Sequence, residues 1–383
     1  MSGREVTVIG GGIVGCLTAC LLRLRGVRVT LLEAGELGRE ASWAGAGILC
    51  PIHPWRYPDA FTRLVEASLA RYPELQARLA AESGIDVGWR RSGLLIPFFG
   101  DEPHWRPAID WSERFGWRLE RLDGAQAQAA EPVLADGVRR ALRWPEVAQL
   151  RNPRLLKATR RWMAKLGVDV RDHTPVARIR VDGGGVCGVE LEDGGSLACR
   201  RLLVAAGSWS DRLLAPLGAA LSIRPVKGQI VLLATRPGRV RHIVKHDEVY
   251  LVPRDDGRVL VGATMEEVGF RGGNTVAAIH SLLDGVMRMM PGLADCVIER
   301  QWMGFRPGSP DGMPFLGAIK GVPGLFVASG HYRNGVALAP ITAEAMAALL
   351  CDESPPVDLA PFAPQRAVDF SSPLGYRLST GGK

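Results

Sequence analysis

No two of the chain's seven cysteines stand in a C-x-x-C pair. That excludes zinc ribbons and thioredoxin-type redox pairs. The odd, scattered set (Cys16, Cys20, Cys50, Cys187, Cys199, Cys296, Cys351) reads as reduced thiols in a reducing compartment. Cys16 and Cys20, four apart in an apolar stretch, are expected to pack as small hydrophobes. Histidine is sparse too, and His53, His242 and His246 lack a ligand spacing, so no metal is expected. Nor is there a Ser/His/Asp or Cys/His arrangement for nucleophilic catalysis. Lysine accounts for only six of the 47 basic residues. The arginines are spread along the chain without a run of five, so the net charge of +7 forms no nucleic-acid stripe. No nucleic-acid partner is expected, although a mild positive field can draw in an anionic substrate. Apolar runs such as residues 337–341 fall far short of the ~20 residues that cross a bilayer. The first residues lead into glycines rather than a signal-peptide cleavage site. The expectation is a cytoplasmic protein with no membrane partner.

What is present is a globular composition, 47% hydrophobic and 23% charged. At 383 residues the chain exceeds one core, so two interlocked domains are expected. Glu5-Val6-Thr7-Val8-Ile9 reads as a short strand, and Gly10-Gly11-Gly12-Ile13-Val14-Gly15 follows at once. Residues 14–25 then carry apolar side chains at helical spacing up to Gly26, which reads as a C-cap. Residues 27–32 read as a second strand, with Glu33 at its end. In a chain with 46 glycines the bare G-x-G-x-x-G is weak, but strand, helix, second strand and an acid 21 residues beyond Gly12 make it specific. Gly10 permits the tight turn, Gly12 lets backbone approach a pyrophosphate, and Gly15 lets helix lie against strand. The helix N-terminus offers free N–H groups to phosphates. Glu33 accepts the adenosine ribose hydroxyls. This unit is expected to bind a dinucleotide.

The fingerprint alone does not separate NAD from FAD. After Glu33 an NAD domain normally continues with another helix and strand, whereas here Leu37-Gly38-Arg39-Glu40-Ala41-Ser42-Trp43-Ala44-Gly45-Ala46-Gly47-Ile48 follows. Small residues let backbone N–H groups run beside a longer cofactor, with Ser42 able to bond a phosphate. Downstream, residues 168–176 and 186–191 read as strands, with a hairpin turn at Asp193-Gly194-Gly195. Arg201-Leu202-Leu203-Val204-Ala205-Ala206-Gly207 reads as a buried strand returning to the adenine end, so the first domain is assembled from separated segments. FAD is the expected cofactor.

These residues carry a family resemblance. The N-terminal Val8-Ile9-Gly10-Gly11-Gly12-Ile13-Val14-Gly15, the loop 38–47 and Pro225-Val226-Lys227-Gly228-Gln229 resemble the D-amino-acid oxidase superfamily. Gly304-Phe305-Arg306-Pro307-Gly308-Ser309-Pro310-Asp311-Gly312-Met313-Pro314 narrows it, as does Gly330-His331-Tyr332-Arg333-Asn334-Gly335-Val336-Ala337-Leu338-Ala339-Pro340. Together they look like the glycine oxidases of the ThiO type, associated with thiamine biosynthesis, over roughly residues 4–350. The resemblance implies an α/β fold: a Rossmann-like, glutathione-reductase-like FAD domain and a second α+β substrate domain on an antiparallel sheet. Residues 1–88, 150–224 and 303–352 are expected in the first and 89–149 and 225–302 in the second, with a helix over 275–290 on its sheet. The Pro-rich tail, 353–383, is expected to be loosely ordered beyond Pro355.

The resemblance also implies oxidation of glycine, sarcosine, N-alkylglycines or small D-amino acids to the imine, by hydride transfer to flavin N5. Water then gives the oxo acid, and molecular oxygen gives hydrogen peroxide. It implies non-covalent FAD in a homotetramer. Related monomeric sarcosine oxidases hold FAD through a Cys in the neighbourhood where this chain has Ser309. Expected FAD contacts are Gly10, Gly12, Ile13, Val14, Gly15, Glu33 and Ala34 in the βαβ unit. Arg39, Ala41, Ser42, Ala46, Gly47 and Ile48 follow in the loop, then Val176, Ala206 and Gly207. The third stretch is His331, Tyr332, Arg333, Asn334, Gly335 and Val336. A substrate carboxylate wants a bidentate Arg, and Arg306 is that Arg by resemblance. Arg333, ahead of an Ala/Leu-rich helix, is expected beside the flavin ring and the substrate, and Tyr250 is expected to donate to the carboxylate. Lys227, Glu248 and His331 are weaker candidates. Cys50-Pro51 and Trp55-Arg56-Tyr57-Pro58 depart from the pattern in a stretch read as an active-site loop, which leaves substrate size open. Two other readings stay open: a D-amino-acid dehydrogenase or secondary-amine oxidase with another acceptor, and a flavin-binding protein without amine chemistry.

Overall fold

The structure is a computed structural model that describes residues 4–100 and 105–372. Strand Glu5–Ile9 lies at the centre of a six-stranded sheet, parallel to Arg28–Leu32 on one side and Leu202–Val204 on the other. Asp169–Arg171 and Leu325–Ser329 extend it in parallel, and Phe315–Ala318 closes one edge antiparallel. Such strands are covered on both faces, which is why they read as unbroken runs like VTVI and LLV. The first crossover helix spans Ile13–Leu24, one residue earlier at each end than the apolar spacing suggests. Gly26 follows it with φ +75°, where a side chain is disfavoured. A Cβ on Gly15 would sit 2.1 Å from the Gly10 carbonyl oxygen, so helix and strand close on each other only because that residue has none.

Helix Gly335–Leu350 is apolar nearly all round and buried accordingly. Pro340 inside it has no N–H to give the Val336 carbonyl. The Tyr72 hydroxyl donates to that carbonyl instead, and Ser68 Oγ donates to the next one, Ala337, at 2.7 Å. Both donors come from the helical stretch Asp59–Leu69 and Tyr72–Ser83 packed beside it.

The second large sheet has eight strands. In spatial order they are Val297–Gly308, Arg224–Ala234, Arg258–Gly262, Val249–Pro253, Ile243–His246, Leu94–Phe98, Arg140–Trp144 and Glu120–Asp123. All neighbours are antiparallel except Ile243–His246 with Leu94–Phe98. Alternation divides its side chains. Val231, Leu233, Val244, Leu251, Val259 and Val261 join the core under helix Val276–Met289. Ile230, Leu232, Tyr250, Val252 and Leu260 belong to a different cluster on the other face, with Ala46, Ile48 and Cys50. The expected boundary at residue 303 falls inside strand Val297–Gly308, because that strand pairs with Arg224–Ala234 along its whole length.

Two expectations are corrected. The reading of 168–176 as one strand fails: only Asp169–Arg171 joins the parallel sheet. Val176–Asp182 starts a separate antiparallel three-stranded sheet with Gly185–Leu191 and Ser196–Ala198. The tail is not loose as far as Arg366. Phe362 is buried, and Arg366 bonds the Asp311 carboxylate at 2.9 Å while stacking over Phe315. Proline-rich composition hid that anchoring pair; the end of the expected tail, residues 373–383, lies outside the described residues. Among the described residues no helix is long and apolar enough to cross a membrane, and no cluster of side chains fits a metal ion.

Candidate functional site

A cavity of about 680 Å³ runs from the C-terminal ends of the parallel strands to the inner face of the eight-stranded sheet. Gly10, Gly12, Ile13 and Val14 form its wall where the first strand turns into the helix. Gly15 is not on the wall; its part is the close packing beneath it. Glu33 reaches back to the turn, its Oε2 accepting from Gly11 N–H at 2.7 Å and its Oε1 from Gly35 N–H at 2.9 Å. A carboxylate has about four acceptor sites, so two remain for a ligand's hydroxyls. Ser42 Oγ accepts from the N–H of Ile13 at 3.0 Å, which leaves its own proton at the helix N-terminus for an anionic oxygen. Ala34, Arg39, Val176, Ala206 and Gly207 line the same half, although the Arg39 guanidinium is already tied to Glu36 at 2.7 Å.

The loop after Glu33 (Ala41, Ser42, Ala46, Gly47, Ile48) lines the middle of the cavity and contains one short helix, Ala41–Ala44. Gly47 has φ +74°, and a Cβ there would strike the Leu150 carbonyl at 2.1 Å. Two residues that sequence reasoning missed hold this loop. Asn152 donates its amide N–H to the Ser42 carbonyl at 2.8 Å and leaves Oδ1 buried without a partner in the cavity wall. Arg254 crosses from the eight-stranded sheet to donate to the carbonyls of Ala46 at 2.7 Å and Leu150 at 3.0 Å, and to Gln149. Burial first, then the charges of Arg151 and Arg90, bring its pKa down to about 9. Nothing local in the sequence marks Arg254; an Asn-Pro pair opening helix Asn152–Leu166 is the only signal for Asn152.

At the far end, His331, Tyr332, Arg333, Asn334, Gly335 and Val336 line the wall at the start of helix Gly335–Leu350. Tyr332 sits at φ +50°, rare for a bulky residue, with its N–H on the Pro307 carbonyl. His331 is buried against the Thr342 hydroxyl at 3.2 Å, and burial pushes its pKa down to about 4, so it is neutral near pH 7. Arg333 bonds the Tyr332 phenol at 3.3 Å and has no carboxylate within 4 Å among the described residues. Asn334 donates to the hydroxyl of Tyr57, a buried wall residue from the departing loop.

Opposite them the eight-stranded sheet presents Arg306 and Tyr250, both in the wall. Two glycines make room for them. A Cβ on Gly228 would meet Arg306 Nη1 at 2.3 Å, and one on Gly262 would meet the Tyr250 hydroxyl at 2.6 Å. Arg306 Nη1 donates to the Thr264 carbonyl at 3.0 Å, and no carboxylate is within 4 Å of it among the described residues. Burial raises the Tyr250 pKa while the neighbouring Arg306 works against the rise, so the phenol keeps its proton near pH 7. Of the weaker candidates only His331 is in the wall. Lys227 is buried behind it, 3.6 Å from Glu266, whose Oε1 accepts from Thr264 Oγ1 and Gln229. Glu248 stands at a hairpin turn outside the wall.

Comparison with known proteins agrees with this geometry. The family model described as FAD dependent oxidoreductase matches residues 5–349. A glycine oxidase of Pseudomonas aeruginosa is 40% identical, over 94% of this chain and 98% of its own length. A bifunctional ThiO/ThiG protein of a Synechocystis species is 36% identical over 96% of this chain, which spans 55% of that protein. The crystal structure of the glycine oxidase from Geobacillus kaustophilus superposes with a TM-score of 0.89 at 30% identity, covering 96% of this chain and all of the other.

Proposed function

This chain belongs to the FAD dependent oxidoreductase family, and from that membership we propose that it oxidises glycine and similarly small amines at the far end of the cavity. The residues present fit FAD. The turn Gly10–Gly15 lets a pyrophosphate approach the helix N-terminus, Glu33 keeps free acceptor sites for a ribose, and Ser42 keeps its hydroxyl proton for an anionic oxygen. Ala34, Arg39, Ala41, Ser42, Ala46, Gly47, Ile48, Val176, Ala206 and Gly207 would flank it, with residues 331–336 at the ring end. Non-covalent binding is supported by Cys50, the one thiol in the wall, whose burial pushes its pKa up to about 12. The chemistry FAD supplies is acceptance of a hydride from the substrate's Cα at N5, with reoxidation by dioxygen to hydrogen peroxide.

The rest falls to the chain. Arg306 grips the substrate carboxylate with its free donors, and Tyr250 adds a neutral O–H beside it. Arg333 and the N-terminus of helix Gly335–Leu350 set positive charge where the ring gathers negative charge. His331 is neutral and turned to Thr342, so no side chain in the wall serves as a strong base. The substrate amine enters neutral, positioning does the work, and water releases the imine as the oxo acid. The carrying observation is the convergence of Arg306 and Tyr250 over two glycines. A place in thiamine biosynthesis is supported by the ThiO/ThiG relative; a cytoplasmic homotetramer rests on the family resemblance.

The test is a visible spectrum followed by a peroxide assay over glycine, sarcosine, D-alanine and D-proline. Yellow protein that releases peroxide with at least one of them, and an Arg306→Ala variant that stays yellow but loses turnover, is the expected result. A colourless protein that does not take up FAD overturns the reading. Dye reduction without peroxide would make it a dehydrogenase.

A further inference from the structure

Three lysine or arginine residues are buried, backbone and side chain together, among the described residues: Lys227, Lys245 and Arg254. Two have partners. Lys227 faces Glu266, and Arg254 is tied to Gln149 and two carbonyls. Lys245 has neither a hydrogen-bond acceptor nor a carboxylate within 4 Å among the described residues. A buried cation without a counter-charge is costly, and this one is left for an anion the chain does not supply.

The register says which way it points. Lys245 lies opposite Tyr250, Tyr250 opposite Gly262, Gly262 opposite Ile230, and Ile230 opposite Trp302. Directly opposed residues of antiparallel strands share a face, so Lys245 stands in the same row as the Tyr250 phenol, one strand beyond it; like His53 it lies behind the residues that now line the cavity. Charged and titratable groups from three stretches of chain act on it. His53 and Arg56 come from the loop before helix Asp59–Leu69, and Arg333 from the site loop. Asp247, Glu248 and Tyr250 belong to its own hairpin. His53 adds a second unmet group: its Nδ1 is buried with no partner. Burial, with the charges of Lys245, Arg56 and Arg333, holds His53 neutral, its pKa down to about 4. Burial likewise brings the Lys245 ammonium down to about 8, with Glu248 and Asp247 opposing the fall.

We propose that Lys245, with His53 beside it, is a second anion-binding point of the substrate site, so that the enzyme accepts glycine-type amines carrying a second carboxylate. The first carboxylate is the one Arg306 and Tyr250 hold, and the inference rests on that reading. The second would be borne on the substrate nitrogen or at the end of a short Cα substituent.

The holoenzyme tests it with two matched pairs. Sarcosine and iminodiacetate are oxidisable and differ by one carboxylate. Methoxyacetate and diglycolate are their inert ether counterparts, and their binding is read from the visible spectrum of the bound flavin. In Lys245→Met the ratio of kcat/KM for iminodiacetate over sarcosine is expected to fall at least tenfold, and the affinity ratio of diglycolate over methoxyacetate by a similar factor. Lys245→Arg, which keeps the charge, should restore most of both. In the unaltered enzyme the affinity ratio of the inert pair should drop about tenfold between pH 7 and pH 9, as an ammonium of pKa about 8 loses its proton. That arm needs no variant to fold. Ratios that stay within twofold in Lys245→Met, or an inert-pair ratio flat with pH, overturn the proposal. Failure of every amine to turn over, with the inert-pair ratio still dependent on Lys245, would instead sink the proposed oxidation and leave the anion point standing.

Discussion

At one end of the cavity, Gly10, Gly12 and the first turn of helix Ile13–Leu24 present backbone. At the other, Arg306, Tyr250 and Arg333 present side chains that arrive from three separate stretches of chain. The first end is specified within one βαβ unit, where strand, turn and helix follow one another. The second exists only when strands 56 positions apart (306 − 250) fall into register and Gly228 and Gly262 leave space for their neighbours' heads. The difference teaches where change is tolerated. Substitution of Gly10 or Gly15 in the backbone-built cradle collides with main chain and threatens the cofactor and the fold together. Substitution in the side-chain-built end alters one charge or one volume and leaves the cradle alone, so substrate range is set there.

Four variants break or sharpen this contrast. Arg306→Ala removes the cation that pairs with a desolvated carboxylate, a loss of about 2–5 kcal/mol. The value of kcat/KM for glycine should fall by roughly 30-fold to several thousand-fold, with flavin content unchanged; loss of colour as well would mean that the two ends are not independent. Gly262→Ala puts a methyl group 2.6 Å from the Tyr250 hydroxyl. Displacing the phenol from the carboxylate should raise KM about tenfold, close to the ~1.5 kcal/mol of one hydrogen bond to a charged group. A matching rise in the FAD dissociation constant would count against the separation. Glu33→Gln works from the opposite end. It weakens bonds to the ribose by about 1 kcal/mol, so the FAD dissociation constant should rise several-fold in a fluorescence titration while KM at saturating FAD moves less. Tyr72→Phe touches neither end. It strands the Val336 carbonyl beside Pro340 and should cost about 1 kcal/mol in urea unfolding, with both binding constants little altered.

How much was legible follows the same division. Gly10, Gly12, Gly15 and Glu33 could be assigned roles from spacing because a tight turn, a close approach and a strand-end acid are local requirements. Helix Ile13–Leu24 was misplaced by one residue only because Gly12 stays extended, which no side-chain pattern reveals. Arg306, Arg333 and Tyr250 are ordinary residues by type and were singled out only by motif resemblance. Tyr57, Asn152 and Arg254 have no local signature that names their part, since the groups they bond lie far along the chain, and Lys245 is singled out by its burial alone. The small sheet beginning at Val176 was misread for a related reason. Its strands pair with each other rather than with the parallel sheet, and the spacing of apolar residues is the same in either case.

Arg254 belongs to the substrate-facing sheet yet holds the carbonyls of Ala46 and Leu150 on the cofactor side. A multi-domain chain commonly unfolds in separable steps. Here neither layer can melt first without stranding a buried guanidinium or baring two carbonyls, so the layers should share one transition. Calorimetry of the apoprotein should then give a single endotherm whose van't Hoff and calorimetric enthalpies agree, and Arg254→Leu should split it in two.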